Sequence, residues 1–156
     1  MTEKTIIQLG KKVQSFTLQD QSGDNFILSR MKGRRVLLSF HPLAWTPVCA
    51  LQMQSLEKNK KIFDKLNTVA VGLSVDSVPS KAAWAKAIKI KNTKLLADFW
   101  PHGKVAKGLG LFLEQDGISQ RVNIILDESA RVCFVKVYPI SKLPDIDEII
   151  VFLKNL

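Results

Sequence analysis

The feature that most constrains the fold is a change of hydrophobic period between residues 35 and 63. Residues 35–40 form a mostly apolar run bounded by Gly33 and Pro42, which is typical of a strand buried on both faces. From residue 46 onward the apolar side chains recur at intervals of three, four and seven, as Cys49, Met53, Leu56 and Phe63. That spacing predicts a helix with one buried face. We therefore expect a central strand followed closely by a packed helix.

The rest of the chain alternates short strands and helices. Residues 16–28 alternate apolar and polar side chains around Gln21-Ser22-Gly23-Asp24, which predicts a hairpin. Further strands are predicted at 68–75, 95–98, 121–126 and 131–137, and helices at 79–89, 103–109 and 145–153. This order predicts an α/β, thioredoxin-like fold, with a mixed central β-sheet flanked by helices and an N-terminal β-hairpin. No repeat or linker divides the chain, so we expect residues 1–156 to form a single domain.

Composition excludes several classes of protein. The chain has 156 residues, 46% of them hydrophobic, which is enough for one buried core and too apolar for a disordered chain. No apolar run approaches the roughly 20 residues needed to cross a bilayer, and residues 1–12 lack the apolar core of a signal peptide. We therefore expect a cytoplasmic protein with no membrane partner.

The chain is basic, with 23 Lys and Arg residues against 14 Asp and Glu and a net charge of +9. The lysines that contribute most are Lys58, Lys60, Lys61, Lys81, Lys86, Lys89, Lys91, Lys94, Lys104 and Lys107. Their spacing indicates solvated helix faces. Nucleic-acid binding is the alternative reading of this charge, but no recognisable reader module accompanies it, so we expect no specific nucleic-acid partner.

The chain has two cysteines, Cys49 and Cys133, which lie 84 positions apart with no CxxC pair. This spacing does not fit a disulfide scaffold or a structural zinc site. A metal site made by both cysteines with His41 and His102 would need long-range convergence without any local ligand pair. We therefore expect no metal site.

The strongest chemical signal is residues 42–49, Pro-Leu-Ala-Trp-Thr-Pro-Val-Cys, between the predicted strand and helix. Pro47 suits the first helical turn and Thr46 suits the N-cap. At the N-cap, the Thr46 side-chain oxygen can accept a hydrogen bond from a backbone amide that has no acceptor within the helix. Cys49 then lies in the first turn, where the partial positive charge of the helix N-terminus stabilises a thiolate. Because the thiolate is the reactive form, we predict that Cys49 is a nucleophile rather than an inert buried thiol.

This stretch resembles the Pro-x-x-x-Thr/Ser-x-x-Cys signature of the peroxiredoxins, which are thiol peroxidases built on a thioredoxin fold. Other segments similar to the family at family spacing are Phe16-Thr17-Leu18, Leu37-Leu38-Ser39-Phe40, Ser74-Val75-Asp76-Ser77 and Asp98-Phe99-Trp100-Pro101-His102-Gly103. The resemblance covers almost the whole chain. It implies a peroxidase that reduces hydrogen peroxide or small organic hydroperoxides and uses no metal, flavin or haem.

The resemblance also implies roles for four residues. Cys49 would be the peroxidatic nucleophile and would become a sulfenic acid. Thr46 would orient the thiolate and hydrogen-bond the peroxide, and Pro42 would shield the pocket from water. Arg121, just after Gly117-Ile118-Ser119-Gln120, would stabilise the thiolate and the charge on the leaving oxygen. The alternative for Arg121 is an exposed strand position, and its rivals are Arg34, Arg35 and Arg131.

Three nearby side chains are not placed in the site. His41 stands beside the motif, but packing or surface exposure explains a histidine there at least as well as a role as a base. Trp45 and Trp100 are expected to wall a pocket or an interface, because aromatic residues at such positions are ordinarily packing groups.

The chain departs from the family pattern in ways that affect how the sulfenic acid is reduced. Gln52 replaces a glutamate that is common three residues after the cysteine, and Val13-Gln14-Ser15-Phe16 replaces the usual Ala-Pro-Asp-Phe. The chain ends at Leu156 without the Val-Cys-Pro segment of the typical two-cysteine subfamily, so we do not expect that mechanism. Cys133, inside a predicted strand, is expected to be a small buried residue rather than a resolving thiol. We expect a one-cysteine cycle with thioredoxin, glutaredoxin or a low-molecular-weight thiol as external reductant.

Two other functions stay open on the sequence alone. A thiol–disulfide oxidoreductase normally uses two close cysteines, and here Thr46 occupies the place of the first. A redox-sensing or chaperone-like binding protein, in which oxidation of Cys49 changes assembly, begins with the same sulfenic acid. Because the family often forms dimers through its active-site loops, we expect a homodimer or a higher homo-oligomer.

Overall fold

The computed structural model describes residues 5–156, so the first four residues of the predicted domain lie outside the described residues. The first strands, β1 (Thr17–Gln19) and β2 (Asn25–Ile27), form the predicted antiparallel hairpin. A 3-10 helix follows at Leu28–Met31. The later elements are β3 (Arg35–Phe40), α1 (Pro47–Lys58), α2 (Lys60–Lys65), β4 (Thr68–Ser74), α3 (Val78–Ala87), β5 (Lys94–Ala97), α4 (Lys104–Gly108), β6 (Phe112–Leu113), β7 (Ile118–Ser119), β8 (Arg121–Leu126), β9 (Val132–Tyr138) and α5 (Ile146–Lys154).

The central sheet has five strands in the order β5-β4-β3-β8-β9. Strands β3, β4 and β5 run parallel, whereas β8 is antiparallel to β3 and β9 is antiparallel to β8. The prediction of a mixed sheet with residues 35–40 at its centre is therefore confirmed. The sequence missed the short antiparallel pair β6 and β7, because two residues per strand are too few to show an alternating pattern.

The two faces of the sheet are covered differently. Helices α1, α2, α3 and α5 cover one face, where the buried side chains include Leu37, Cys49, Met53, Phe63, Trp84, Leu95, Ile125 and Ile149. The hairpin and α4 cover the other face, with Phe26, Phe40, Leu73, Leu96, Ala106, Leu109, Val122 and Ile124. Successive side chains of a strand point to opposite faces, so the odd-numbered residues of β3 and β8 face the helix that carries Cys49.

The predicted helix after residue 46 is divided at Asn59 into α1 and α2. The Asn59 backbone has φ −102° and ψ 12°, and its side-chain amide donates to the carbonyl of Ser55 at 2.8 Å. An asparagine side chain that bonds to nearby backbone competes with helical pairing, which explains the break. The helix restarts where the Phe63 amide donates to the Asn59 carbonyl at 3.0 Å, so Phe63 keeps its buried position.

Helix α1 lies directly on the sheet at Gly72. A Cβ atom at this position would overlap the sulfur of Met53, so the flexible Met53 side chain would have to shift to accommodate any other residue. Within residues 5–156, no helix is long and apolar enough to cross a membrane.

Candidate active site

Cys49 is the third residue of α1, and its side chain is fully buried. Thr46 is the N-cap and Pro47 the first helical residue, as predicted. The amide of Ala50 donates to the Thr46 carbonyl at 3.0 Å, which begins the helical pairing. The amides of Val48 and Cys49 precede that bond, and the first amides of a helix have no acceptor within it. The sulfur therefore lies in a helix turn that favours negative charge.

The Thr46 hydroxyl does not cap the helix, so the predicted capping bond is wrong. It donates instead to the Leu43 carbonyl at 2.8 Å, within the loop that joins β3 to α1. The loop turns back before the helix because Trp45 adopts a left-handed conformation, with φ +68°. Since the hydroxyl proton is held by Leu43, the lone pairs of the Thr46 oxygen can accept a hydrogen bond from another molecule.

Arg121 reaches Cys49 because of the register between β3 and β8. Ser39 pairs with Asn123 and Phe40 with Val122, so Arg121 lies beyond the end of β3, beside the start of α1. Its side chain is only 2% exposed, which excludes the alternative of an exposed strand position. Among its rivals, Arg34 and Arg131 are exposed, and Arg35 donates to the Leu153 carbonyl at 3.3 Å.

The guanidinium of Arg121 is held at several points. Its Nη1 donates to the sulfur of Cys49 at 3.3 Å and to Oε1 of Gln52 at 2.7 Å. Its Nε and Nη2 both donate to the Ile140 carbonyl, at 3.0 and 2.6 Å. The planar fork of donors is thus fixed by protein acceptors with one edge against the sulfur.

Gln52 links Arg121 to a buried polar network that sequence reasoning missed. Its Nε2 donates to Oγ of Ser39 at 2.8 Å and to the Phe40 carbonyl at 3.1 Å. The Ser39 hydroxyl donates to Oδ1 of Asn123 at 2.7 Å, and Nδ2 of Asn123 lies 3.4 Å from the Tyr138 hydroxyl. The sequence signal that could have placed Gln52 near the site is its spacing, because it follows Cys49 by three residues and so lies on the same helix face.

Pro42 is buried in the loop between β3 and α1. The same loop is fastened to the β4–α3 connection, because the Ala44 amide donates to Oδ2 of Asp76 at 2.8 Å. The Trp45 indole N–H donates to the Ser80 hydroxyl at 3.1 Å, although the Trp45 side chain is 55% exposed. These bonds fix the path of the segment that carries Pro42 and Thr46.

The prediction that Lys81 lies on a solvated helix face is wrong, because its side chain is 0% exposed. Lys81 shares its face of α3 with Trp84 and Ala85, both buried, and this three- and four-residue spacing was a signal in the sequence. Its Nζ lies 3.1 Å from Nε2 of His41, which is also fully buried and so is not a surface residue. Burial lowers the pKa of Lys81 to about 7, against the raising effect of the charges on Asp76, Cys49 and Asp98.

Cys133 lies on β9, where it is partly buried as a free thiol and donates to the Ile125 carbonyl at 3.4 Å. Burial raises the pKa of this thiol, and the negative charge of Asp127 raises it further. The Tyr138 end of β9 pairs with Arg121, and Cys133 lies five residues before Tyr138. At about 3.3 Å per residue, Cys133 is roughly 17 Å along the strand from the end that meets Arg121. Within residues 5–156, no three His, Cys, Asp or Glu side chains form a group that could hold a metal ion.

Comparison with known proteins decides the family. The chain matches the AhpC/TSA family over residues 9–135. The protein belongs to this family. It is a peroxiredoxin, an oxidoreductase of the thiol peroxidase class, and the resemblance drawn from residues 42–49 is confirmed. The thioredoxin-like fold of this peroxiredoxin is confirmed as well.

Relatives and solved structures agree with this membership. Alkyl hydroperoxide reductase E of Mycobacterium tuberculosis (strain ATCC 25618 / H37Rv) is 33% identical over 132 residues, which cover 84% of this chain and 86% of that protein. Peroxiredoxin 2 of Sulfurisphaera tokodaii is 33% identical over 163 aligned positions, covering 100% of this chain and 76% of that protein. The crystal structure of peroxidoxin BcpB from Mycobacterium tuberculosis superposes with a TM-score of 0.84 at 26% identity, covering 96% of this chain and 98% of that chain.

Proposed function

We propose that this peroxiredoxin reduces hydrogen peroxide and small organic hydroperoxides at Cys49, by a one-cysteine mechanism in which an external thiol restores the enzyme. The observation that carries the proposal is the 3.3 Å contact between Nη1 of Arg121 and the Cys49 sulfur at a helix N-terminus. A guanidinium donor and unpaired helix amides both stabilise a thiolate, which is the nucleophilic form of cysteine.

The peroxide step uses the four residues named from the sequence. The thiolate of Cys49 attacks one peroxide oxygen, so that an S–O bond forms while the O–O bond breaks. The leaving oxygen takes up a proton and departs as water or an alcohol. Two electrons pass from sulfur to peroxide, which leaves Cys49 as a sulfenic acid. Arg121 stabilises the charge on the leaving oxygen, the free lone pairs of Thr46 accept the peroxide O–H, and Pro42 shields the pocket from water.

The thiol step completes the cycle. An external thiolate attacks the sulfenic sulfur of Cys49, releasing water once the leaving hydroxide is protonated and forming a mixed disulfide. A second thiol of the reductant then displaces Cys49 as a thiolate and leaves the reductant oxidised. The reductant is thioredoxin, glutaredoxin or a low-molecular-weight thiol.

The position of Cys133 supports an external rather than an internal reductant. A disulfide needs Cα atoms within about 7 Å of each other, and Cys133 lies roughly 17 Å along β9 from the strand end that pairs with Arg121, the residue whose guanidinium contacts Cys49. Its raised pKa also keeps the thiol protonated at neutral pH, which makes it a poor nucleophile.

A single-turnover experiment tests the proposal. Reduced wild type, Cys49→Ser and Cys133→Ser are each mixed with one equivalent of hydrogen peroxide and followed by peroxide loss, a sulfenic-acid trap and intact mass. Wild type and Cys133→Ser are expected to react equally fast and to gain one trap per chain, whereas Cys49→Ser does neither. Wild type that reacts no faster than a free thiol overturns the peroxidase function. A wild-type disulfide that is absent from Cys133→Ser overturns only the one-cysteine mechanism.

We also propose that the protein acts in the cytoplasm as a homodimer or higher homo-oligomer. Trp45, Phe99 and Trp100 are 55%, 50% and 82% exposed. They follow the carboxyl ends of β3 and β5, which lie at the same edge of the sheet because both strands run parallel to β4. Apolar side chains grouped at one edge are typical of an interface. Sedimentation of wild type and Trp100→Glu tests this: a wild-type monomer at working concentration contradicts the oligomer.

A further inference from the structure

Ser39 and Asn123 are a buried polar pair whose neighbours along the sheet are apolar. The two residues are register partners on β3 and β8, and their side chains are 1% and 2% exposed. The next pair on the same face consists of Leu37 and Ile125, which are both fully buried. Two hydrogen-bonded polar groups can be exchanged for apolar groups of the same shape at little cost in stability. Stability alone therefore does not explain why Ser39 and Asn123 are polar.

The hydrogen bonds of this pair run in one direction, away from the active site. The Nδ2 of Asn123 donates to the Tyr138 hydroxyl at 3.4 Å, so that its Oδ1 faces Ser39 and accepts the serine hydroxyl proton at 2.7 Å. A serine hydroxyl has one proton to donate, so Ser39 can only accept from its other neighbour. That neighbour is Gln52, whose Nε2 donates to Oγ of Ser39 at 2.8 Å.

These contacts hold the Gln52 amide in one orientation. Its Nε2 donates to Ser39 and to the Phe40 carbonyl, both on β3, which leaves Oε1 to face Arg121. If the amide were reversed, its NH₂ group would face a guanidinium that only donates, and its oxygen would face a carbonyl that only accepts. The two protons of Nε2 use two acceptors, so the loss of the Ser39 hydroxyl would leave one buried proton without a partner.

The orientation of Gln52 matters because of the way in which Arg121 is held. The Ile140 carbonyl accepts from Nε and Nη2 at 3.0 and 2.6 Å, but it is a single atom about which the guanidinium can turn. Oε1 of Gln52 provides a second fixed point by accepting from Nη1 at 2.7 Å. The same nitrogen donates to the Cys49 sulfur at 3.3 Å. The direction of the donor at the sulfur therefore depends on where Oε1 is held.

We propose that Ser39 and Asn123 are positioning residues for Arg121, which act through Gln52 to keep Nη1 directed at the Cys49 sulfur. The inference rests on the proposed function of Cys49, because a fixed donor is useful only where charge develops. The pair is linked to the sulfur through Gln52 and Arg121 rather than directly. A donor that is free to turn stabilises the transition state less, since it must reorient during the reaction.

The hold on Arg121 is measured by NMR on reduced protein that contains ¹⁵N-labelled arginine. Wild type is expected to show slow rotation of one guanidinium, assigned by the loss of its signals in Arg121→Lys. Ser39→Ala is expected to accelerate this rotation roughly three- to tenfold, as one hydrogen bond fewer in the chain implies. An unchanged rotation rate in Ser39→Ala overturns the proposal. The measurement uses no peroxide, so it decides the inference even if wild-type Cys49 reacts no faster than a free thiol and the proposed function fails.

The rate constant with hydrogen peroxide separates positioning from stability. Ser39→Ala leaves Oδ1 of Asn123 without its donor, so it is expected to lower the stability, and to lower the rate constant roughly tenfold. Ser39→Ala combined with Asn123→Leu makes both partners apolar, and is expected to recover the stability while the rate constant stays low. A rate constant that recovers together with the stability overturns the proposal, because the pair would then have a purely structural role.

A double-mutant cycle tests whether Ser39 acts through Gln52. If it does, Ser39→Ala lowers the rate constant of Gln52→Leu by less than about twofold, although it lowers that of wild type about tenfold. Equal fold-changes in the two backgrounds overturn the proposal.

Thr68→Val is the matched control, because Thr68 is as buried as Ser39 and its hydroxyl donates to the Leu66 carbonyl at 3.0 Å, outside this chain of hydrogen bonds. Thr68→Val is expected to lower the stability and to keep the wild-type rate constant in the peroxide reaction. A Thr68→Val protein as slow as Ser39→Ala also overturns the proposal, since any lost buried hydroxyl would then slow the enzyme.

Discussion

Arg121 donates a hydrogen bond to the sulfur of Cys49 across 3.3 Å, although the two residues are 72 positions apart in the chain. The contact exists because the register of β3 and β8 puts Arg121 beside the first turn of α1. Both side chains are buried, so water screens their interaction weakly. A charge that develops on the sulfur or on a bound oxygen is therefore met by a donor that is already in place.

Replacement of Arg121 tests that donor. We expect Arg121→Lys to lower the rate constant for hydrogen peroxide by about 100-fold, because lysine cannot satisfy Cys49, Gln52 and the Ile140 carbonyl with one fixed fork. Stopped-flow peroxide kinetics measure the change. Arg131→Lys is the control, since Arg131 is exposed and is expected to be neutral. A loss smaller than about threefold for Arg121→Lys contradicts the role of Arg121.

Thr46 is expected to act through its oxygen lone pairs rather than as a helix cap. Thr46→Val keeps the shape and removes the hydroxyl, so we expect a fall in the peroxide rate constant of about 10- to 100-fold. Thr46→Ser keeps the hydroxyl that donates to Leu43 and is expected to stay within about threefold of wild type. Equal rates for the valine and serine variants would exclude a hydrogen bond to the peroxide.

Gln52 is expected to stabilise the fold as well as the site. Gln52→Leu leaves a donor of Arg121 without one acceptor and the Phe40 carbonyl without its side-chain partner, all in buried surroundings. We expect the free energy of unfolding to fall by about 3 kcal/mol, measured by urea denaturation. Gln54→Leu is the matched control, because Gln54 makes one longer bond to the Ile88 carbonyl at 3.2 Å. A Gln52→Leu variant as stable as the control contradicts the network.

We expect Glu57 to make a pH-dependent contribution to the stability of the fold. Its carboxylate accepts from the amides of Lys91, Asn92 and Thr93. Burial raises the pKa of Glu57, but these hydrogen bonds outweigh it and hold the pKa below 4.5. An acid whose pKa is lower in the folded state stabilises the fold above its unfolded pKa, and the effect is lost as the pH falls through the folded value.

We therefore expect Glu57→Gln to lower the free energy of unfolding near pH 7 by about 1 kcal/mol, a small value because the carboxylate is half-buried and still partly screened by water. The difference from wild type is expected to shrink as the pH is lowered through the folded pKa of Glu57, as urea denaturation over a series of acidic pH values will show. Glu114→Gln, at an exposed position, is the control. A difference that is independent of pH would contradict the role of the ionised carboxylate.

Local patterns predicted the elements that carry the chemistry. The strand at 35–40 has the bounds that its apolar run predicted, and Cys49 lies in the first turn of α1 as the Thr46-Pro47 pair indicated. The strand and the start of the helix could be predicted because a few consecutive side chains determine whether a strand is buried and where a helix begins. The same motif, together with the other family-like segments, was sufficient to suggest the family that the comparisons then confirmed.

Contacts between distant elements could not be predicted in this way. The Gln52–Ser39–Asn123 chain depends on the pairing of Ser39 with Asn123, which no local pattern encodes. The hydroxyl of Thr46 was expected to cap the helix, yet it bonds to Leu43 because the loop turns back at Trp45. Local sequence identified the Thr46 hydroxyl as important, and the path of the loop determined that it donates to Leu43 rather than accepting from a helix amide.

Lys81 shows most clearly the difference between what the local sequence predicts and what the tertiary packing decides. As one lysine among many in a basic chain, it was predicted to be solvated, and only the packing of α3 against the sheet places its amine beside His41. The sequence by itself determined the central strand, the helix that follows it and the position of Cys49 at the start of that helix. The tertiary structure decided that Arg121 reaches that cysteine and that Lys81 is buried beside His41, because strand register and helix packing bring together side chains that are far apart in the chain.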